Sequence, residues 1–349
     1  MKHNLCVIGY GGMGGWHTRH ALESDVVNLK GIYDIDPKKS ELAKSNGIYA
    51  YESLEEVLSD KDIDLVTIAI PNDQHRDMVI KCLEAGKNVI CEKPVTMSSK
   101  VLQEMIDAAE KSGKLFTVHQ NRRWDVDFLA MKQIHDSGEI GKIFNIESRI
   151  HGSRGIPSDW RCQKAYGGGM VLDWGVHLID QICQILKGKI TKVYCKLDHI
   201  TNDEVDDGFK LDLTFDNGAR AYVEVGTYNF IDMPRFYMQG KEGTAIITNW
   251  QEDAKVVHCK YWHENDVLPV KTAAGLTKTM APRDSVTTDT YTIDKPASDV
   301  HDFYRNFTKA IDGKEIQLVT HKEVMRVMRI MEACFESDKK GQVIDFTDM

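Results

Sequence analysis

The feature that most constrains this chain is an alternation filling its first third. Five short apolar runs, LCVIG (5–9), NLKGIYD (28–34), DLVTIAI (64–70), NVICEK (88–93) and LFTVHQN (115–121), are separated by stretches with helical spacing at 13–23, 37–46, 52–59, 73–85 and 98–112. Strands apolar on both faces need cover on both, and helical crossovers supply it. The pattern predicts a parallel, doubly wound α/β sheet over residues 1–122. The punctuation agrees: Asp36-Pro37 reads as an N-cap followed by proline at the first helical position, and Gly86 and Gly113 stand where helices end in a left-handed residue.

Beyond residue 122 the period changes. A helix is predicted over 125–137, stopping at Gly138, then a strand at 143–151, a loop rich in Gly, Ser and Trp, and a helix over 170–187. Two-residue alternation predicts strands at 191–200, 208–216, 219–228, 235–240 and 243–250, with Asn217-Gly218 signalling a type I′ hairpin. Residues 297–312 and 320–339 return to helical spacing, whereas 251–295 offer no motif. Residues 123–349 therefore read as a second, α+β domain with a largely antiparallel open sheet. A length of 349 residues fits two domains better than one.

The formal net charge of −9, without any Lys/Arg block, argues against nucleic acid or an anionic membrane as partner. No run approaches the roughly 18 apolar residues of a membrane helix. Only four apolar residues precede the first glycines, so no signal peptide is read and a cytoplasmic protein is expected. The eight cysteines (6, 82, 91, 162, 183, 195, 259 and 334) form no Cys-x-x-Cys pair and read as reduced, mostly buried thiols, with no metal site expected.

The turn after the first strand is Gly9-Tyr10-Gly11-Gly12-Met13-Gly14, a G-x-G-x-x-G that opens a helix. Gly9 permits the tight turn, Gly11 lets the backbone approach a pyrophosphate, and Gly14 allows close helix–strand packing, while the helix N-terminus offers free N–H groups. Asp34 ends the second strand, where a carboxylate bonds the adenosine ribose 2′-hydroxyl and repels a 2′-phosphate. NAD is the expected cofactor. Lys38 and Lys39 nearby leave NADP open. The third strand runs into Pro71-Asn72-Asp73-Gln74-His75, which places Asn72 and His75 either in the cofactor crevice or as caps of the next helix.

The fourth strand ends in VICEKPV (89–95). Glu92 and Lys93 then sit at the carboxyl edge of the sheet, facing a ligand rather than a core, and Pro94 makes the chain leave the ladder. In YGGGMVLDWGVHLIDQICQIL (166–186), Asp173 and His177 share a helix face, and the stripe continues through Gln181 and Gln184. A stripe of Asp, His and Gln suits a cleft better than open water. A neutral imidazole there can accept an alcohol proton as hydride leaves the carbon, with a nearby carboxylate fixing its tautomer.

These motifs, together with AIPNDQH, AGKNVICEKPV and NRRW (121–124), resemble the glucose–fructose oxidoreductase/inositol dehydrogenase family, also called Gfo/Idh/MocA, across nearly the whole chain. The resemblance implies an NAD(P)-dependent oxidoreductase acting on a secondary alcohol or ketone of a sugar, glycoside or cyclic polyol. A redox-neutral glycosidase or epimerase that keeps its NAD is the alternative. It implies that Lys93 binds the reacting hydroxyl, that His177 is the acid/base residue, and that Asp173 assists it or holds substrate. Asn121, Trp160 and Arg161 would approach the nicotinamide half of the cofactor, Arg123 and Trp124 would face the sugar pocket, and the open sheet would build homodimers or homotetramers.

Overall fold

The structure, a computed structural model, describes residues 2–261 and 267–348. The first domain runs β1 (His3–Ile8), α1 (Gly12–Glu23), β2 (Val27–Tyr33), α2 (Pro37–Ser45), α3 (Leu54–Ser59), β3 (Leu65–Ile68), α4 (His75–Glu84), β4 (Asn88–Cys91), α5 (Ser99–Ser112) and β5 (Phe116–Val118). Its strands form one sheet in the order β2-β1-β3-β4-β5, every pair parallel. All residues of β3 and β4 are buried, as a sheet covered on both faces requires. Local chemistry starts and stops the helices. Asp36 caps α2 before Pro37, Ser53 caps α3 and Ser98 caps α5, and Gly113 closes α5 at φ 67°.

The second domain continues with α6 (Val126–Ser137), β6 (Ile143–His151), α7 (Val176–Ile185), β7 (Ile190–Asp198), β8 (Gly208–Phe215), β9 (Arg220–Gly226), β10 (Phe236–Gly240), β11 (Gly243–Ile247), β12 (Ala254–Cys259), β13 (Val270–Thr272), β14 (Gly275–Thr277), β15 (Thr288–Ile293), α8 (Asp302–Ile311), α9 (His321–Lys340) and β16 (Ile344–Asp345). Nine of these strands form one sheet, β15-β12-β11-β10-β6-β9-β8-β7-β16, in which β6–β9 is the parallel pair and the others are antiparallel. No helix among the described residues is long and apolar enough to cross a membrane.

Three details differ from the sequence expectation. The unmatched stretch 251–295 holds β12 and β15, an edge pair that is buried mainly through Ala254 and Val256, so its alternation is faint. Residues 262–266 of that stretch lie outside the described residues. The Asn217-Gly218 turn is not type I′, because that type needs two positive φ angles and only Gly218 has one (83°). The expected helix over 170–187 begins as a wider, π-type turn at Val171–Gly175 before α7.

The chain's final third also returns to the first domain. Tyr304 on α8 bonds Thr67 on β3 and His17 on α1, each at 2.9 Å. Arg305 pairs with Asp25 at 3.1 Å, and His3 with Asp312 at 3.1 Å. Phe303 and Phe307 are buried beside these contacts. Truncating a buried phenylalanine removes its transfer free energy and leaves a cavity, so Phe307→Ala is expected to cost about 3–5 kcal/mol. Equilibrium denaturant unfolding checks this. An unchanged midpoint would show that α8 docks outside the cooperative fold.

Candidate functional site

The glycine-rich turn is shaped by contacts that exclude side chains. A Cβ on Gly9 (φ +92°) would sit 2.3 Å from the Ala69 carbonyl oxygen, and one on Gly14 would sit 1.8 Å from the Gly9 oxygen. Gly11 and Gly12 have no atom within 4 Å of such a position, so the surface above them is open. The helix starts there without a side-chain cap, which leaves first-turn N–H groups for an anion. Asp34 is held at the end of β2: Oδ2 accepts the Tyr10 N–H at 2.6 Å and Oδ1 accepts the Asp36 N–H at 2.9 Å. These residues fit a dinucleotide, with pyrophosphate on the open glycines and ribose at the fixed carboxylate. The Tyr10 ring itself is buried, whereas Met13 is exposed and lines the adjoining cleft.

That cleft, about 700 Å³, lies between the domains. The first domain contributes Trp16, Glu92, Lys93 and Asn121, and the second contributes Arg161, Asp173 and His177. Lys93 Nζ donates to the backbone oxygen and to Oδ1 of Asp173, both at 2.8 Å, while Arg161 Nε donates to Oδ2 at 2.8 Å. Burial would raise the Asp173 carboxyl, but Lys93 and Arg161 outweigh it and hold the group below the usual carboxylate range. His177 is 3% exposed, and its Nδ1 has no hydrogen-bond partner among the described residues. Burial, then the charges of Lys93 and Arg122, push this imidazole well below its ordinary range, so it is neutral at neutral pH.

Glu92 forms the cleft floor and is itself 4% exposed. Its Oε1 accepts from His17 Nε2 at 2.7 Å and from His119 Nδ1 at 2.8 Å, and Oε2 accepts the Lys93 N–H at 3.0 Å. Burial opposes its charge, yet His119 and His17 hold it well below the usual carboxylate value. An ionised carboxylate only accepts, which fixes both rings with those nitrogens protonated.

The segment bearing Asp173 and His177 is positioned by Asp206. Its Oδ2 accepts the Val171 N–H at 2.8 Å, and its backbone oxygen accepts the Met170 N–H at 3.0 Å. A Cβ on Gly169 (φ +103°) would lie 2.2 Å from Asp206 Oδ1, which explains a glycine here. The π-type turn then keeps Asp173 and His177 both on the cleft, a placement common for such turns at functional sites.

Several residues singled out in the sequence go elsewhere. His75 is fully buried with Nδ1 near the Val95 oxygen (3.2 Å) and Nε2 near the Ile70 oxygen (3.0 Å), so it pins the loop around the cis Lys93–Pro94 bond rather than lining the crevice. Asn72 donates to the Tyr166 oxygen at 2.9 Å and ties the two domains together. Arg123 does not face a sugar pocket: it is buried against Asp180 (2.6 Å) and Glu323 (3.0 Å). Trp124 packs on Phe303, and Trp160 stacks under Arg161 without lining the cleft. Gln181 and Gln184 also miss the cleft, bonding Arg122, Arg235 and Glu323 instead. What the motif reading missed is Arg122, 4.3 Å over Trp174, and Trp16, one turn into α1. The tight turn at Asn121–Trp124 sends consecutive arginines in opposite directions, a choice the NRRW string does not reveal.

A chain built this way has an N-terminal Rossmann-type domain and a second, mostly antiparallel domain, with one cleft lined by both. Residues 3–120 match the family described as "Oxidoreductase family, NAD-binding Rossmann fold", and residues 128–246 match the "GFO/IDH/MocA C-terminal domain". An NAD-binding protein from Listeria innocua has the same structure at TM-score 0.94, with 44% identity covering 99% of both chains. The scyllo-inositol 2-dehydrogenase (NADP(+)) IolW of Bacillus subtilis (strain 168) is 28% identical over 97% of this chain and 94% of its own. An uncharacterized oxidoreductase, C115.03, of Schizosaccharomyces pombe (strain 972 / ATCC 24843) is 39% identical over 48% of this chain, which spans about half (47%) of that relative. The protein belongs to the Gfo/Idh/MocA oxidoreductase family.

Burial pushes the Asp206 carboxyl up to about 7, against the lowering pull of the Val171 N–H. Between the unfolded value of about 3.9 and that figure, the folded state binds the extra proton, so stability falls as pH rises across this window. Asp206→Asn is expected to flatten that slope between pH 4 and pH 7 in denaturant titrations. An unaltered slope would place the titration elsewhere.

Proposed function

We propose that the protein transfers hydride between a nicotinamide dinucleotide and a secondary alcohol or ketone of a sugar, glycoside or cyclic polyol. The observation that carries this is the convergence of Lys93 and His177, from different domains, on one cleft beside the glycine-rich turn. Gly11, Gly12, Met13 and Asp34 would hold the dinucleotide, which when bound supplies the hydride acceptor or donor. Asn121 and Arg161, at the cleft, are the candidates for its nicotinamide half. Asp34 favours NAD. The nearby Lys38 and Lys39, and the NADP(+)-linked relative, keep NADP within the same reading.

In this mechanism Lys93 donates a hydrogen bond to the reacting hydroxyl and stabilises developing alkoxide. His177, neutral because of its burial, takes the proton, and the same ring returns it when a ketone is reduced. Asp173 contacts Lys93 and Arg161 rather than His177, so its role is to hold and orient the ammonium. Pairing of copies as homodimers or homotetramers through the open sheet, where Phe144 and Tyr194 are exposed, belongs to the same reading.

Lys93→Ala and His177→Ala are expected to bind NAD normally, measured by titration calorimetry, while turnover falls about 10²–10⁴-fold in each. Reduced nicotinamide absorbance against a panel of inositols, glucosides, uronates and keto-sugars is the readout. Near-normal turnover in either purified variant would reject these roles. Turnover of sugar without accumulation of reduced cofactor, and without added NAD, would move the reading to redox-neutral chemistry.

A further inference from the structure

The chain carries net charge −9, yet its cleft is lined by four basic side chains, Lys93, Arg122, Arg154 and Arg161, against two carboxylates, Glu92 and Asp173. Three of the cations are already neutralised by protein. Lys93 pairs with Asp173, Arg161 with both Asp173 and Asp159, and Arg122 with Asp125 at 2.8 Å. Arg154 is the exception: among the described residues it has neither an ion pair nor a side-chain hydrogen bond.

Arg154 is exposed to solvent, but it lines the cleft and stands on a fixed backbone. The Gly152 N–H donates to the Gly226 oxygen, the Asn229 N–H to the Gly152 oxygen, and the Gly155 N–H to the Thr227 oxygen, each at 2.8 Å. Gly155 sits at φ +75°, where an added Cβ would meet Thr201 at 2.9 Å. The loop is therefore stapled to the end of β9 on both sides of residue 154, and the guanidinium is presented from a preorganised support. Ser153 and Thr227 line the same wall.

Building on the oxidoreductase reading, we propose that the natural substrate is an acidic sugar or polyol whose carboxylate or phosphate pairs with Arg154 while its carbinol lies between Lys93 and His177. The dinucleotide phosphates have their own binding element in the open glycines and the start of α1, so they leave Arg154 unclaimed. A guanidinium meets a carboxylate or phosphate through two parallel hydrogen bonds, which also orients the sugar and so selects the carbon that reacts.

The test compares the purified protein with Arg154→Ala and Arg154→Lys, using three probe classes: neutral inositols and hexoses, uronates, and hexose phosphates. We expect the wild type to favour one acidic class over its neutral counterparts by about 10–100-fold in kcat/KM, the scale of a charge-assisted pair. In Arg154→Ala that acidic-to-neutral ratio collapses through KM, and Arg154→Lys restores part of it. Uronate against phosphate identifies which anion is read. Equal use of acidic and neutral probes, or a ratio unchanged in Arg154→Ala, overturns the proposal. So does a weakened Kd for NAD in that variant with the ratio preserved, because Arg154 would then serve the cofactor. If no sugar of any class turns over, the oxidoreductase reading fails. Calorimetric binding of a uronate or hexose phosphate to wild type but not to Arg154→Ala, with NADH present, would still support the anion site, and its absence would reject it.

Discussion

One ion pair joins the two halves of the inter-domain cleft. Lys93 leaves the carboxyl end of β4, Asp173 leaves the start of the segment leading into α7, and two 2.8 Å hydrogen bonds connect them. A half-buried ammonium and a buried carboxylate are costly to desolvate, and such pairs add little net stability. What they supply is geometry. With Arg161 on the other carboxylate oxygen, Asp173 cannot swing toward His177, so the ammonium is fixed and the imidazole is left free for a ligand.

The charges around this pair set the ionisation of three neighbouring groups by environment. Asp173 stays ionised because two cations outweigh its burial, and Glu92 stays ionised because two imidazoles do the same. His177 has only Glu92 to favour its protonated form, and that is outweighed. Its burial and the neighbouring Lys93 and Arg122 both act against protonation, leaving the form that can accept a proton. One low-dielectric site thus holds two carboxylates kept ionised by neighbouring donors and one imidazole kept neutral.

Much of this was legible in the sequence because it is local. The five-stranded parallel sheet follows from apolar runs separated by helical spacing, and Asp36, Gly113 and Gly138 mark real helix ends. Lys93, Asp173 and His177 stand out in the sequence because their residue types contrast with apolar neighbours, and the three line one cleft. What could not be read depended on long-range placement. His75 looks like a crevice residue by position but is claimed by two backbone carbonyls, and Arg123 is claimed by Asp180, 57 residues away. The outer strands β12 and β15, of which β15 forms the sheet edge, hide because little of their surface is buried, so the two-residue alternation that identifies a half-buried strand is weak.

The strand end Glu92-Lys93-Pro94 shows how far a local motif depends on distant support. For Glu92 to remain an anion at 4% exposure, both imidazoles must offer it a proton. For His17 that requires Nε2 protonated, which leaves Nδ1 as an acceptor and demands a donor beside it. The donor is Tyr304, 287 residues away on α8, whose oxygen in turn meets Thr67 on β3. His119 has no such donor: its Nε2 is buried without a hydrogen-bond partner among the described residues, in a ring that packs against Trp16 and Phe303. The return of α8 across the first domain therefore sets a tautomer in the cleft floor, and through Glu92 and the Lys93 N–H it fixes the backbone from which the ammonium reaches Asp173.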